Sequence, residues 1–139
     1  MKVVDVSNFP VSKGLCAAQV TLKPGAIREM HWHPHSSEWQ YYLQGKGRMT
    51  IVTTGAAART MNFNANDVGY VPLMATHYIE NTGTEDLIFL EILKAPHFID
   101  VSVNEWIARL PDNLAEAHIK LPLSTIRKAP QTAYKVLPG

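Results

Sequence analysis

The sequence predicts an all-β fold, a jelly-roll sandwich or barrel of short strands with a helical pair at its C-terminal end. Two observations carry this. From Val6 to Leu93, short runs rich in β-branched and aromatic residues are split by frequent turn signals such as Lys23-Pro24-Gly25 and Thr82-Gly83-Thr84. After Lys94 the spacing of apolar residues becomes helical.

The elements follow in order. Leu15–Leu22 is a strand that ends where Pro24 cannot continue a ladder and Gly25 turns the chain. Glu29–His33 and Glu38–Leu43 read as a hairpin across Pro34–Ser37. Gln44-Gly45-Lys46-Gly47 turns into Arg48–Thr53, Thr54-Gly55 into Ala58–Phe63, and Asn64-Ala65-Asn66-Asp67 into Val68–Val71. His77–Asn81 and Leu87–Leu93 complete the set, the last apolar on both faces, as in a strand buried on both sides. Two sheets so wired leave a central cavity for side chains or a ligand. Ser102-Val103-Asn104-Glu105 has the form of a capping box, and Trp106, Ile107 and Leu110 continue at helical spacing to Pro111. Leu114, Ala117 and His118 suggest a second short helix. Pro122, Pro130 and Pro138 favour an extended arm, disordered or laid along a neighbour. The organisation is one domain: a barrel over 1–101, its helical extension over 102–121 and a tail over 122–139.

With 139 residues the chain can bury about two-thirds of its unfolded surface. A net charge of +1 gives no electrostatic case for nucleic acid or an anionic membrane. The single cysteine, Cys16, precludes an internal disulfide and reads as a buried small hydrophobe. Met1–Asp5 opens no signal sequence and no 18-residue apolar stretch occurs, so the reading is of a cytoplasmic protein.

Chemistry concentrates in a few residues. A strand's period of two points His31 and His33 the same way, with Trp32 opposite. Glu38 follows after a turn, and His77 lies downstream. Three imidazoles and a carboxylate suit a divalent first-row metal, with positions left open if coordination is octahedral. Raw affinity favours Cu or Zn, and the donor set also admits Mn, Fe, Co or Ni. Glu91 shares a face with Leu87, Phe89 and Leu93, where an unpaired carboxylate would cost several kcal/mol. Either a partner such as Arg28 or a raised pKa beside a metal cavity resolves this. Trp32, Trp39 and Tyr70 need only packing roles, Met30, Met49 and Met74 read as core, and His35 as a solvent-facing loop residue. His97 and His118 belong to the surface or an interface. Trp106 and its apolar helix face, costly to leave exposed, predict a homo-oligomer.

Gly25, His31-x-His33, Glu38 and Gly45 stand at the spacing of the first motif of the cupin superfamily, which the chain resembles. Pro72, His77 and Asn81 match the second motif, with Asn66 and Met74 where glycines are usual. Arg28–Pro34, Glu38–Tyr42, Asp67–Pro72 and His77–Gly83 resemble the oxalate decarboxylase branch of bicupins, in particular its C-terminal cupin domain, from about Val6 to His118. The resemblance implies a cupin jelly roll with Mn(II) held by His31, His33, Glu38 and His77. It implies oxalate or a related small carboxylate as ligand, with dioxygen beside it, and catalytic roles for two residues. Arg28 would grip the carboxylate through its planar fork, and Glu91 would act as acid or base. Strict alternation places Arg28 opposite His31, so this role needs a bulge or turn after Gly25. The family's decarboxylating half draws its proton from a lid with Ser-Glu-Asn-Ser-Thr, where this chain has Ala95-Pro96-His97-Phe98-Ile99-Asp100, without that lid acid. Two other readings therefore stand beside the decarboxylase: a non-catalytic metal-binding and assembly module, and a germin-like oxalate oxidase or superoxide dismutase or a sugar isomerase. The helical pair resembles elements that pack cupin domains together, or else caps its own barrel, and since jelly-roll cupins usually pair the resemblance implies a dimer or a hexamer.

Overall fold

The computed structural model describes residues 1–130 and 135–139. Among the described residues, eleven strands and three short helices follow in chain order. They are β1 (Lys2–Val4), β2 (Cys16–Leu22), β3 (Ile27–Trp32), β4 (Glu38–Gln44), β5 (Lys46–Thr53), β6 (Ala57–Asn64), β7 (Val68–Val71), β8 (Thr76–Asn81), β9 (Leu87–Leu93) and β10 (Val101–Ser102), then α1 (Val103–Ala108), α2 (Asp112–Ile119), α3 (Leu123–Ile126) and β11 (Val136–Leu137). One antiparallel sheet runs β1-β2-β9-β4-β7 and the other β10-β3-β8-β5-β6, with β11 added to β3. This is the expected all-β jelly roll, the chain changing sheets at most of its turns.

That wiring corrects one expectation. β3 and β4 are not a hairpin but lie in different sheets, and Pro34–Ser37 is a crossover between them. β3 pairs instead with β8, which sets His31 directly opposite His77. The sheet-to-sheet step puts Glu38 on the other wall of the cavity, facing both.

Alternation builds the interior. Val20, Leu22, Tyr42, Met49, Phe63, Ile79, Leu87 and Phe89 form the main core, and Cys16, Ala18, Leu93, Ala95 and Phe98 a second cluster. Burying each large side chain contributes about 1.5–3 kcal/mol. Tyr42 stacks between Phe63 and Phe89, at centroid distances of 4.5 and 5.3 Å. β9 is buried on one face only: Ile88, Leu90 and Ile92 are half-buried, because an antiparallel sheet turns its outer face toward solvent. Met49 is core, but Met30 and Met74 are more than half exposed. Met30 points outward beside a break in β3, and Met74 sits in the turn before β8. Trp39 and Tyr70 are also exposed and pack edge-to-face on each other at 5.4 Å.

The turns explain the replaced glycines. Asn66 (φ 74°) and Met74 (φ 64°) both adopt the left-handed conformation that glycine tolerates best. A methionine held there is strained by roughly 1 kcal/mol. Met74→Gly should therefore raise unfolding free energy by about 0.5–1 kcal/mol, read as a higher urea midpoint with unchanged slope. Gly45 (φ 84°) has no such latitude, since a Cβ there would meet the Asp86 carbonyl at 2.6 Å.

The C-terminal part departs from an extended arm. Ser102 caps α1 by accepting from Glu105 N at 3.4 Å, while the Glu105 carboxylate pairs with Arg109 instead of reaching back. Pro122 starts a helical turn, and β11 lies on the chain's own β3, at Ile27 and Arg28. Part of the predicted tail, residues 131–134, lies outside the described residues. Among the described residues no helix is long and apolar enough to cross a membrane.

Candidate metal centre

The site begins with an irregularity in β3. The register with β8 shifts between Arg28 and His31, so Arg28 and Glu29 are both buried, Met30 is exposed and His31 is buried again. The bulge resets the alternation. It supplies the break that a buried Arg28 on the His31 side required.

His31 and His77 then face each other across the ladder, with ring centroids 4.2 Å apart. His33, just past the end of β3, lies 5.0 Å from His31 and 5.8 Å from His77 by ring centroid. Glu38 reaches in from β4, its Oε2 2.9 Å from His33 Nε2 and 3.0 Å from His77 Nε2. One ligand atom from each of the four lies within 4.8 Å of the others, and every residue is at most 3% exposed.

The hydrogen-bond pattern shows what these atoms are suited to hold. The Nδ1 positions of His31, His33 and His77 lie 2.7, 2.8 and 3.1 Å from the carbonyls of Glu29, Ile99 and Ala75. A carbonyl only accepts, so each Nδ1–H donates, leaving in the neutral ring an Nε2 lone pair facing inward. Among the described residues, the three Nε2 atoms and Glu38 Oε2 are the buried side-chain polar atoms without a hydrogen-bond partner. Four acceptors converging out of water would each forgo about 1–3 kcal/mol of solvation. A divalent cation between them satisfies all four, and imidazole nitrogen with carboxylate oxygen is a donor set for first-row metals.

The second oxygen of Glu38 is held from behind. Gln40 Nε2 donates to Oε1 at 2.7 Å, and the Tyr42 hydroxyl donates to Gln40 Oε1 at 2.7 Å. These three residues share the inner face of β4, a relay visible in the spacing Glu38-x-Gln40-x-Tyr42 yet missed in the sequence. Gly69 leaves room for it, since a Cβ there would lie 2.8 Å from Gln40 Oε1. Partners that orient ligands in this way carry about 10–100-fold in metal affinity. Gln40→Ala should weaken metal binding by that factor in a competition titration, with the fold retained by circular dichroism.

Charge follows the same geometry. Burial alone would raise the Glu38 carboxyl, but the His77 and His33 imidazoles outweigh it and hold it well below the usual carboxylate range. Burial, with Arg28 nearby, pushes His31 well below the usual imidazole value. At His33 burial pulls down, but the Glu38 carboxylate 2.9 Å away prevails and the net shift is upward.

Beside this cluster sits a second one, built on the fully buried Arg28 and Glu91. Arg28 Nε and Nη2 donate to the two Glu91 oxygens at 3.0 and 3.4 Å, Nη2 donates to Asp100 Oδ2 at 2.5 Å, and Nη1 to the Lys135 carbonyl at 3.3 Å. Glu91 is thus partnered by Arg28 and pairs along the sheet with Gln40. Burial raises its pKa more than Arg28 lowers it, with Glu38 adding to the rise. The 95–100 segment, without the family's lid acid, brings a different carboxylate to the site: Asp100, whose side chain turns to Arg28. The backbone beside it packs on His33, through the Ile99 carbonyl and the Phe98 ring at 5.6 Å. Glu29, also missed, is a buried tie between Ser102 Oγ at 2.8 Å and Lys135 N at 2.7 Å. Cys16 is buried, with its thiol pushed up to about 11 by loss of solvation. His35, His97 and His118 are exposed and away from the cluster. Trp106, 54% exposed, meets Trp32 edge-on at 6.2 Å.

Comparison with known proteins agrees with this geometry. The Cupin family profile matches residues 1–125. Oxalate decarboxylase OxdC of Bacillus subtilis is 53% identical over 119 residues, 86% of this chain and 31% of that protein. A probable oxalate decarboxylase of Arthroderma benhamiae is 47% identical over 92% of this chain and 32% of its own length. A solved structure of the Bacillus subtilis oxalate decarboxylase, described with Mn(II) centres, superposes with a TM-score of 0.95 at 47% identity, covering 99% of this chain and 36% of that one. The chain spans about a third of the length of the curated relatives it matches. With the profile spanning most of its residues and both cupin motifs built into one cavity, the chain belongs to the cupin family.

Proposed function

We propose that His31, His33, Glu38 and His77 bind Mn(II), and that the chain acts on oxalate or a related small carboxylate in the manner of an oxalate decarboxylase domain. The observation that carries this reading is the set of four convergent buried atoms without other partners. Similarity to decarboxylases with Mn(II) centres supports Mn over the other metals the donors admit. The bound ion would supply Lewis acidity toward a carboxylate oxygen.

The residues of the chain account for the rest. Arg28 offers a rigid, permanently charged fork for the carboxylate remote from the metal. Glu91, a buried carboxyl beside Arg28 with its pKa raised by burial, would serve as a proton store. Converting hydrogen oxalate to formate and carbon dioxide breaks the carbon–carbon bond and puts one proton on the formate carbon, so such a store is what the step needs. The Phe98 ring packs against His33 and the Ile99 carbonyl holds its Nδ1, which leaves His33 buried from bulk water. Incubation with Mn(II), oxalate and dioxygen should yield formate and carbon dioxide in equal amounts, and Arg28→Lys should reduce the rate at least about tenfold by losing the two-point grip. Hydrogen peroxide in place of formate would instead favour oxidation.

One observation favours a second reading. The Arg28 fork is already filled by Glu91 and Asp100. A chain that never releases Arg28 would be a metal-binding and assembly module. It would melt at a higher temperature with Mn(II) and turn over no oxalate. The exposed Trp106 face supports its assembly as a homo-oligomer.

A further inference from the structure

The anion in the Arg28 fork belongs to the protein itself. Asp100 presents Oδ2 to Arg28 Nη2 at 2.5 Å and Oδ1 to Lys135 Nζ at 3.7 Å, so one carboxylate bridges two cations. Lys135 is firmly placed for this. Its N–H donates to Glu29 Oε1 at 2.7 Å, its carbonyl accepts from Arg28 Nη1 at 3.3 Å and from Glu29 N at 3.2 Å, and β11 starts at the next residue. Its ammonium lies 5.7 Å from the centroid of Phe98. Arg28 and Glu91 are wholly buried, whereas the Asp100 side chain is 6% and the Lys135 side chain 38% exposed. The bridging carboxylate therefore sits at the outer edge of the cluster, on a segment without regular secondary structure.

Charge makes this place selective. Arg28 and Lys135 face Glu91 and Asp100, two cations against two carboxylates. Withdrawing Asp100 would leave excess positive charge and a buried guanidinium edge without an acceptor, an arrangement that another carboxylate restores with least cost. The residue before Asp100 holds His33 through its carbonyl, so the plugged position abuts the four convergent ligands.

We propose that Arg28 and Lys135 form a two-cation carboxylate subsite that the resting protein plugs with its own Asp100. Lys135 is then a substrate-positioning residue for a small dicarboxylate, one end of which displaces Asp100 while the other faces the histidine cluster. This rests on the proposed reading of Arg28 as the grip for a substrate carboxylate.

Calorimetric titration with oxalate tests it, together with the metal content and melting temperature of every sample. Asp100→Asn keeps the shape of the side chain and removes its charge. It should bind oxalate at least about tenfold more tightly than the parent, the worth of a charge-assisted contact no longer competing. In that background Lys135→Gln should weaken oxalate by about fivefold or more, and Lys135→Arg should restore it, because charge and not chain length is what Lys135 contributes. Unchanged or weaker binding by Asp100→Asn overturns the plug, as does a Lys135→Gln variant that binds as well as its parent. If those failures come with a full complement of metal, the plug alone is refuted and the metal centre stands. A parent protein that retains no metal refutes the centre instead.

Discussion

His77→Ala is expected to abolish stoichiometric metal binding. His77 closes the cluster from β8, and its Nε2 is one of the two nitrogens within 3.0 Å of Glu38 Oε2. Without it, two imidazoles from β3 and the residue just past it, with a carboxylate from the facing sheet, cannot enclose a cation. The consequence extends to stability. A cation at a hundred times its dissociation constant stabilises the folded form by about 2.7 kcal/mol. For a domain of this size that is about 10 °C in melting temperature. Adding Mn(II) should raise the melting temperature of the parent by this order and leave that of His77→Ala unmoved. Equal shifts in the two proteins would place the ion elsewhere.

Arg28→Met should be the most damaging substitution for the fold. The guanidinium is fully buried and holds Glu91 and Asp100 through charge-assisted hydrogen bonds. Removing one member of a buried pair costs about 3–5 kcal/mol, because the partner charge is left uncompensated. Here two carboxylates are left facing each other. Arg28→Met with Glu91→Leu should recover part of that loss, since the double change removes charge from both sides, while Asp100 keeps Lys135 as a neighbour. Chemical denaturation of the parent, both single variants and the double variant gives the coupling directly. Additive losses would mean that the two side chains do not depend on each other.

The sheet elements were legible because their side-chain period survives in the sequence, and Leu87–Leu93 and Val68–Val71 form as strands with the bounds expected for them. The pairing of β3 was not legible. A turn of Pro34–Ser37 suits a hairpin and a sheet-to-sheet crossover equally well, and only tertiary packing selects between them. The bulge that buries Arg28 was called for by the resemblance, which needed Arg28 on the His31 side, but an extra residue in a strand has no sequence mark of its own by which to place it. All four convergent side chains were named from the sequence, because ligand types at fixed spacing are a local signal. Asp100 and Lys135 were not, because their meeting with Arg28 depends on contacts across 72 and 107 residues of chain. Glu29 looked like an ordinary strand position, and its burial follows from the bulge alone.

The proposed centre is one cation held between two sheets by His31, His33, Glu38 and His77. Anomalous diffraction at the manganese edge, from crystals of Mn(II)-loaded protein, tests this most directly. The expected map has a single strong peak about 2.0–2.3 Å from three Nε2 atoms and Glu38 Oε2. A map with no peak between them, or with its only peak at another place on the molecule, would contradict it.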